Sequence, residues 1–381
     1  MERNERGYAC FLRTHNNSNN RMNKTTVDSY IIISIFVLFY WIPASIQVPF
    51  RVLILFLINL YVFGRCKNKI LYLCPFIVVS YFILYKIECG SFDNSLLMVL
   101  FSVSPVLCFS IIGDRLFVKK RIIYICCIIA IIGAIIQLCI FRYNGRPTLS
   151  YEINHSGSFI FLLFLYCDYI GYKVGRVIVA FFSLLLLSRL CILCILLVYF
   201  IRFAKNIFLK QSFNFSYFLV IIMFGIATSV FSIWYTLNMK DSITATTNDS
   251  DRLKGVNDGS NYYRFMINSR ILFDIYDGNK IMIYEGYGDL AKEDDYSTSF
   301  GSQPHNELIK HTAQYGLLFT IFLLLISSRY YSKLTCYNNL EYILPIFVYT
   351  QILWVRFTIV PSLEMLFIFY LLTLKLNKRP T

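Results

Sequence analysis

Charge is scarce in this chain. Asp, Glu, Lys and Arg together supply 15% of its 381 residues, where soluble domains average about 25%. The sequence also lacks an HExxH metal motif, a Rossmann GxGxxG and a P-loop, so neither metalloprotease-type chemistry nor a familiar nucleotide site is legible. Its twelve cysteines do not form a disulfide framework: Cys108, Cys126, Cys127, Cys139, Cys167, Cys191 and Cys194 lie in or beside apolar runs, where a thiol behaves as a small hydrophobe. The CxxC of Cys191 and Cys194 sits inside such a run with no partner pair or histidine at zinc spacing, which reads as packing. A cleavable leader is not expected either, because residues 1–28 are polar and basic and the apolar run from Tyr30 to Ile46 ends without a small-residue cleavage pattern.

Apolar residues, by contrast, reach 57%. A water-facing surface is hard to build from that composition, which disfavours a soluble enzyme, a free nucleic-acid binder and a receptor with one anchor. The apolar segments fall at about 29–48, 50–64, 71–87, 95–113, 122–141, 158–171, 174–187, 189–202, 217–237, 313–328, 341–358 and 362–376. The sequence therefore predicts an all-α, polytopic transmembrane protein of about twelve spans.

The net charge is +14, and its distribution predicts orientation. Basic residues gather in the N-terminal tail and in alternate short loops, among them Arg65, Lys67 and Lys69, Lys119 to Arg121, and Lys173 with Arg176. The positive-inside rule makes that side cytoplasmic, with both termini on it. The opposite side then receives one large loop, 237–312, holding 12 of the 22 acidic residues. The predicted plan is a tail at 1–28, nine spans over 29–236, the loop over 237–312, three spans over 313–376 and a tail at 377–381.

Within the loop, Asp241 to Asn261 reads as irregular chain, and Tyr262 to Tyr276 as a helix with Ile267 and Ile271 on one apolar seam and Arg270 beside it. Arg270 has two readings, a salt bridge to Asp274 or a functional cation. Arg189 interrupts a long apolar stretch; it suits either an interfacial arginine held by lipid headgroups or a bidentate phosphate contact. His305 precedes a helix start and has two readings, a structural loop histidine or a neutral imidazole that could take a proton from a sugar hydroxyl. Asn306 follows it as a capping residue, and Glu307 with His311 forms an i,i+4 pair. Gly286-Tyr287-Gly288 permits either a tight turn or close approach of the backbone to a phosphate. Asn144-Gly145-Arg146-Pro147 reads as a turn, with Arg142 and Arg146 adding positive charge on the same side as the loop. The acidic pairs Asp249 with Asp251 and Asp274 with Asp277 have formal metal spacing but read as solvated surface.

Taken in order, Ser188-Arg189, Arg270, Gly286-Tyr287-Gly288, and His305-Asn306-Glu307-Leu308 followed by Gly316 resemble the O-antigen ligase and O-antigen polymerase superfamily over residues 155–330. The pattern departs in running Leu317-Leu318-Phe319 where a second glycine often follows. The resemblance implies a glycosyltransferase of the inner bacterial membrane, facing the periplasm, that needs neither metal nor cofactor. On that reading Arg189 and Arg270 hold an undecaprenyl diphosphate leaving group and His305 acts on the acceptor hydroxyl. The same reading makes Arg142, Arg146, Gly286, Gly288, Asn306, Glu307 and His311 the expected substrate-binding residues. Implied partners are undecaprenyl-diphosphate-linked donor and acceptor glycans, membrane lipids, a chain-length regulator and a flippase, and no nucleic acid. A polymerase is favoured, a ligase is the alternative, and a flippase or transporter the reading from another class.

Overall fold

The computed structural model describes residues 27–66, 68–112, 118–143, 145–151, 153–208, 217–239, 259–288, 306–334, 340–353 and 363–373. Helices α1 to α4 are Val27–Trp41, Gln47–Arg65, Lys69–Glu88 and Ser95–Ile112. Helix α5, Lys120–Ile140, is followed by a hairpin of β1, Arg142–Tyr143, and β2, Arg146–Pro147, and then by α6, Ile153–Tyr169. The series continues with α7, Lys173–Leu185; α8, Arg189–Phe208; α9, Tyr217–Met239; and α10, Gly259–Tyr276. A π-helical turn at Ile281–Glu285 precedes α11, Glu307–Tyr315; α12, Leu317–Leu334; α13, Leu340–Leu353; and α14, Leu363–Thr373.

Local chemistry sets several of these boundaries. The Asn68 side chain accepts from the N–H groups of Ile70 and Leu71 at 3.1 and 3.3 Å and so starts α3. Asn306 does the same for α11, accepting from Leu308 and Ile309 at 3.0 and 3.3 Å. These side chains satisfy backbone donors that the first helical turn leaves unpaired. Gly316, at φ 81°, separates α11 from α12.

The chain divides into two compact units. The first draws on Met1–Ile58, Gly113–Ile195 and Leu366–Thr381. Its centre is α6, every residue of which from Ser156 to Asp168 is buried. Phe36 of α1 meets Tyr166 of α6 and Phe367 of α14 edge-on, with centroids 4.9 and 5.0 Å apart. Each buried tyrosine places its hydroxyl on a carbonyl: Tyr40 donates to Phe159 O at 2.7 Å and Tyr166 to Phe367 O at 2.6 Å. Gly133 lets α5 approach α1, since a Cβ there would lie 2.4 Å from Tyr40 O. Between α1 and α2, Gln47 donates to Leu38 O and Ile42 O while its own oxygen accepts from Arg51 and Tyr151.

The second unit draws on Asn59–Ile112 and Leu196–Met365. Here α4 packs between α3 and α12, and α10 lies along α9. Ile267 and Ile271 of α10, Met282 of the π turn, and Ile309 and Ala313 of α11 form one apolar cluster. Phe82 of α3 stacks on Phe319 of α12 at 3.8 Å.

The twelve-span prediction is corrected by these helices. Among the described residues three are long and apolar enough to cross a membrane: α2 with the 3-10 turn before it (Ala44–Arg65), α3 and α5. Others fall short, such as α7 with 13 residues, whose length of about 20 Å is well under the hydrocarbon thickness of about 30 Å. The physical reason is visible in α6. Its apolar run looks like a lipid-facing span, but neighbouring side chains enclose it on all sides, and hydropathy cannot separate a protein interior from lipid. With the span count go the multi-pass inner-membrane placement, the cytoplasmic termini and the periplasmic loop derived from it.

Candidate functional site

Among the described residues, a dense polar arrangement lies in the second unit, where the end of α3, the turn into α4, the π turn and α11 converge. Lys86, in the last turn of α3, is fully buried. Its Nζ donates to the carbonyls of Glu285 at 2.7 Å and Gly286 at 2.6 Å. These oxygens sit where the π turn ends, and a helical turn leaves its last carbonyls unpaired. A buried ammonium is tolerated only with such acceptors.

Beyond Gly286 the chain runs beside the end of α11. Tyr287 N donates to Ala313 O at 2.7 Å and Gly288 N to Gln314 O at 3.0 Å. Gly286 and Gly288 have φ of 68° and 75°. A Cβ on Gly286 would stand 2.4 Å from the Gln314 carbonyl carbon, and one on Gly288 would stand 2.1 Å from Ser91 O. The close approach these glycines permit is therefore to the protein's own backbone.

On the facing turn, the Asp93 carboxylate accepts from Ser95 N at 3.0 Å and from Ser95 Oγ at 2.6 Å. Because the Ser95 proton is committed to Asp93, the 2.5 Å contact between Ser95 Oγ and the Tyr315 hydroxyl makes Tyr315 the donor. Gln314 Nε2 also approaches Asp93, at 3.5 Å. The buried His311 ring stacks on Tyr315 with centroids 5.3 Å apart. The chemistry available here is a directed chain of hydrogen bonds, Tyr315 to Ser95 to Asp93, that fixes the start of α4 against the end of α11.

The predicted site residues distribute as follows. Gly286, Gly288 and His311 come together in this junction, while Asn306 caps α11 at its opposite end. Glu307 begins that helix. Arg270 belongs to the same unit and is exposed on α10, while Ile267 and Ile271 enter the core as the sequence pattern predicts. His305, together with Asp249 and Asp251, lies outside the described residues. Arg142, Arg146 and Arg189 belong to the first unit. Arg142 Nη1 donates to Leu138 O and, at 3.0 Å, to Phe141 O, closing the end of α5. Arg146 faces Tyr143 across the hairpin. Arg189 opens α8 and is exposed; it follows Leu187, at φ 50°, and the buried Ser188.

Sequence reading missed Lys86, Asp93, Ser95 and Tyr315. Lys86 had a usable signal, since it is the lone charge in the apolar run 71–87, and an ionisable residue inside such a run marks a site worth examining. Asp93, Ser95 and Tyr315 carried none, because more than two hundred positions of chain separate the two segments that meet.

No known protein family, curated protein or solved structure matches the chain. That result and the fold correct the superfamily resemblance and what followed from it. Among the described residues three helices reach membrane length, while α1, α6 and α14 are packed on one another by long-range hydrogen bonds and aromatic contacts, and this is not the polytopic fold that the resemblance requires. The assignments as O-antigen polymerase, ligase, lipid-linked glycan flippase or periplasm-facing glycosyltransferase are accordingly withdrawn. The glycine pair, one of the motifs that carried the resemblance, is occupied by backbone contacts.

Proposed function

We propose that this protein is a helical module held partly within a lipid bilayer by α2, α3 and α5, with its buried polar junction serving to fix helix ends. The observation that carries the proposal is the outward side of these helices. On α3, Ile70, Leu73, Ile77, Tyr81 and Leu84 are exposed at helical spacing, and on α2 so are Phe50, Leu53, Leu57 and Leu60. Helix α5 adds Ile125, Ile132, Ile136 and Ile140. Leaving a large apolar side chain in water forgoes about 1.5 to 3 kcal/mol relative to burial. Thirteen such side chains therefore favour an apolar environment by tens of kcal/mol, against a total stability of roughly 5 to 15 kcal/mol for an ordinary domain.

The junction around Lys86 supports a structural role, because Lys86 donates to the protein's own carbonyls and Tyr315, Ser95 and Asp93 form one directed chain. Arg189, exposed at the start of α8, fits the interfacial reading, in which a guanidinium meets lipid headgroups. The test is extraction of the full-length protein from membranes with alkaline carbonate and, separately, with detergent. The proposal expects release by detergent alone. Release by carbonate would refute bilayer insertion.

A further inference from the structure

We infer that the end of the first unit formed by the starts of α5 and α7 is a docking surface for an anionic phospholipid leaflet. The inference rests on the bilayer reading above and names the lipid class it contacts. Lys119, Lys120 and Arg121, at the start of α5, are all exposed, and so is Lys173, the first residue of α7. The two helix starts are held at one end of the unit by Tyr124 of α5 and Tyr172 just before α7, whose rings lie 4.6 Å apart. Burial, and then the neighbouring Tyr124, raise the Tyr172 hydroxyl above the ordinary phenol range. Arg176 is not part of the patch. It pairs with the buried Asp168 carboxylate at 2.7 Å and fastens α7 to the end of α6.

Apolar faces begin directly beyond this tyrosine level. On α7 the side chains of Val174, Val177, Phe181 and Leu184 point outward, Val177 being 71% exposed, while Gly175, Val179, Phe182 and Ser183 face α5 and α6. Ile125, Ile132 and Ile136 are exposed on α5. The order is cations, then paired tyrosines, then aliphatic and Phe side chains. It matches a leaflet read from headgroup to acyl chain, where Tyr occupies the interface and Lys and Arg meet anionic headgroups. With 13 residues, α7 reaches only part of the way through.

Helix energetics agree. Cations near a helix N-terminus oppose the macrodipole, and neither helix has an acidic residue in its first turn. Four exposed cations at two such starts do not serve helix stability, and an external anion layer gives them a counter-charge.

The test reconstitutes full-length protein in vesicles of phosphatidylcholine with phosphatidylglycerol and measures, by electron spin resonance of spin-labelled lipids, the relative association of each lipid with the protein. The expected result is a preference for phosphatidylglycerol, of up to roughly fivefold per engaged cation, that falls with added salt. The quadruple variant Lys119→Gln, Lys120→Gln, Arg121→Gln, Lys173→Gln should lose it, and Lys280→Gln, which removes an exposed cation of the other unit, should keep it. Equal association of both lipids with the wild type would overturn the inference while leaving bilayer insertion intact, as would a preference that survives in the quadruple variant. Failure to insert into vesicles at all would instead refute the bilayer reading.

Discussion

Replacing Lys86 by Met keeps most of the side-chain volume and removes only the ammonium. In the native structure that group serves the carbonyls of Glu285 and Gly286, and the residue has no exposed surface through which water could take its place. Gly286 O is buried and Glu285 O part-buried; a buried acceptor left unsatisfied costs about 1 to 3 kcal/mol, so the substitution should destabilise the second unit by at least about 1 to 3 kcal/mol. The loss should also be local. Segment 281–288 is tied to α3 through this lysine and to α11 through the backbone bonds of Tyr287 and Gly288. Thermal unfolding in detergent gives the stability change, and amide hydrogen exchange locates it. Faster exchange is expected across 281–288 and the end of α11, with the α6 amides of the first unit unchanged. A destabilisation below about 0.5 kcal/mol, with protection retained at Gly288, would refute the anchoring role.

Three further outcomes follow from the packing. Gly133→Val should push α1 from α5, because even a Cβ would stand 2.4 Å from Tyr40 O; a loss of at least about 1 to 3 kcal/mol in thermal unfolding is expected. Gly288→Ala should be worse than an ordinary glycine-to-alanine change, since φ is 75° and Ser91 O lies 2.1 Å from the new Cβ; hydrogen exchange of the Gly288 amide should report the broken contact with Gln314. Tyr40→Phe removes one buried donor to Phe159 O and should cost about 0.5 to 1.5 kcal/mol while leaving secondary structure by circular dichroism unchanged.

Much of the helical layout was legible in the sequence. The apolar run 71–87 is the body of α3, the run 122–141 that of α5, and the loop segment Tyr262 to Tyr276 lies within α10 with Ile267 and Ile271 in the core. Asn306 as a cap and Gly316 as a break were equally readable, because both act through the backbone within a few residues. Environment was not readable. The run 158–171 has the composition of a span, yet α6 is enclosed by α1, α5, α7 and α14 side chains, and enclosure depends on partners far away in sequence. The glycines show the same limit: Gly286-Tyr287-Gly288 announces a close approach without saying to what, and the answer lies at Gln314 and Ser91. A resemblance assembled from short motifs inherited both ambiguities.

Bilayer insertion as proposed requires that α2, α3 and α5 meet lipid while α6 does not. The direct measurement is photolabelling of the reconstituted protein with a small carbene precursor dissolved in the bilayer, followed by peptide mapping. Heavy labelling is expected at the outward residues Phe56, Ile77 and Ile132, with little on Phe161 or Leu165 of α6. Labelling of all four helices to the same extent, or of α2, α3 and α5 no more than the polar hairpin 142–147, would contradict it.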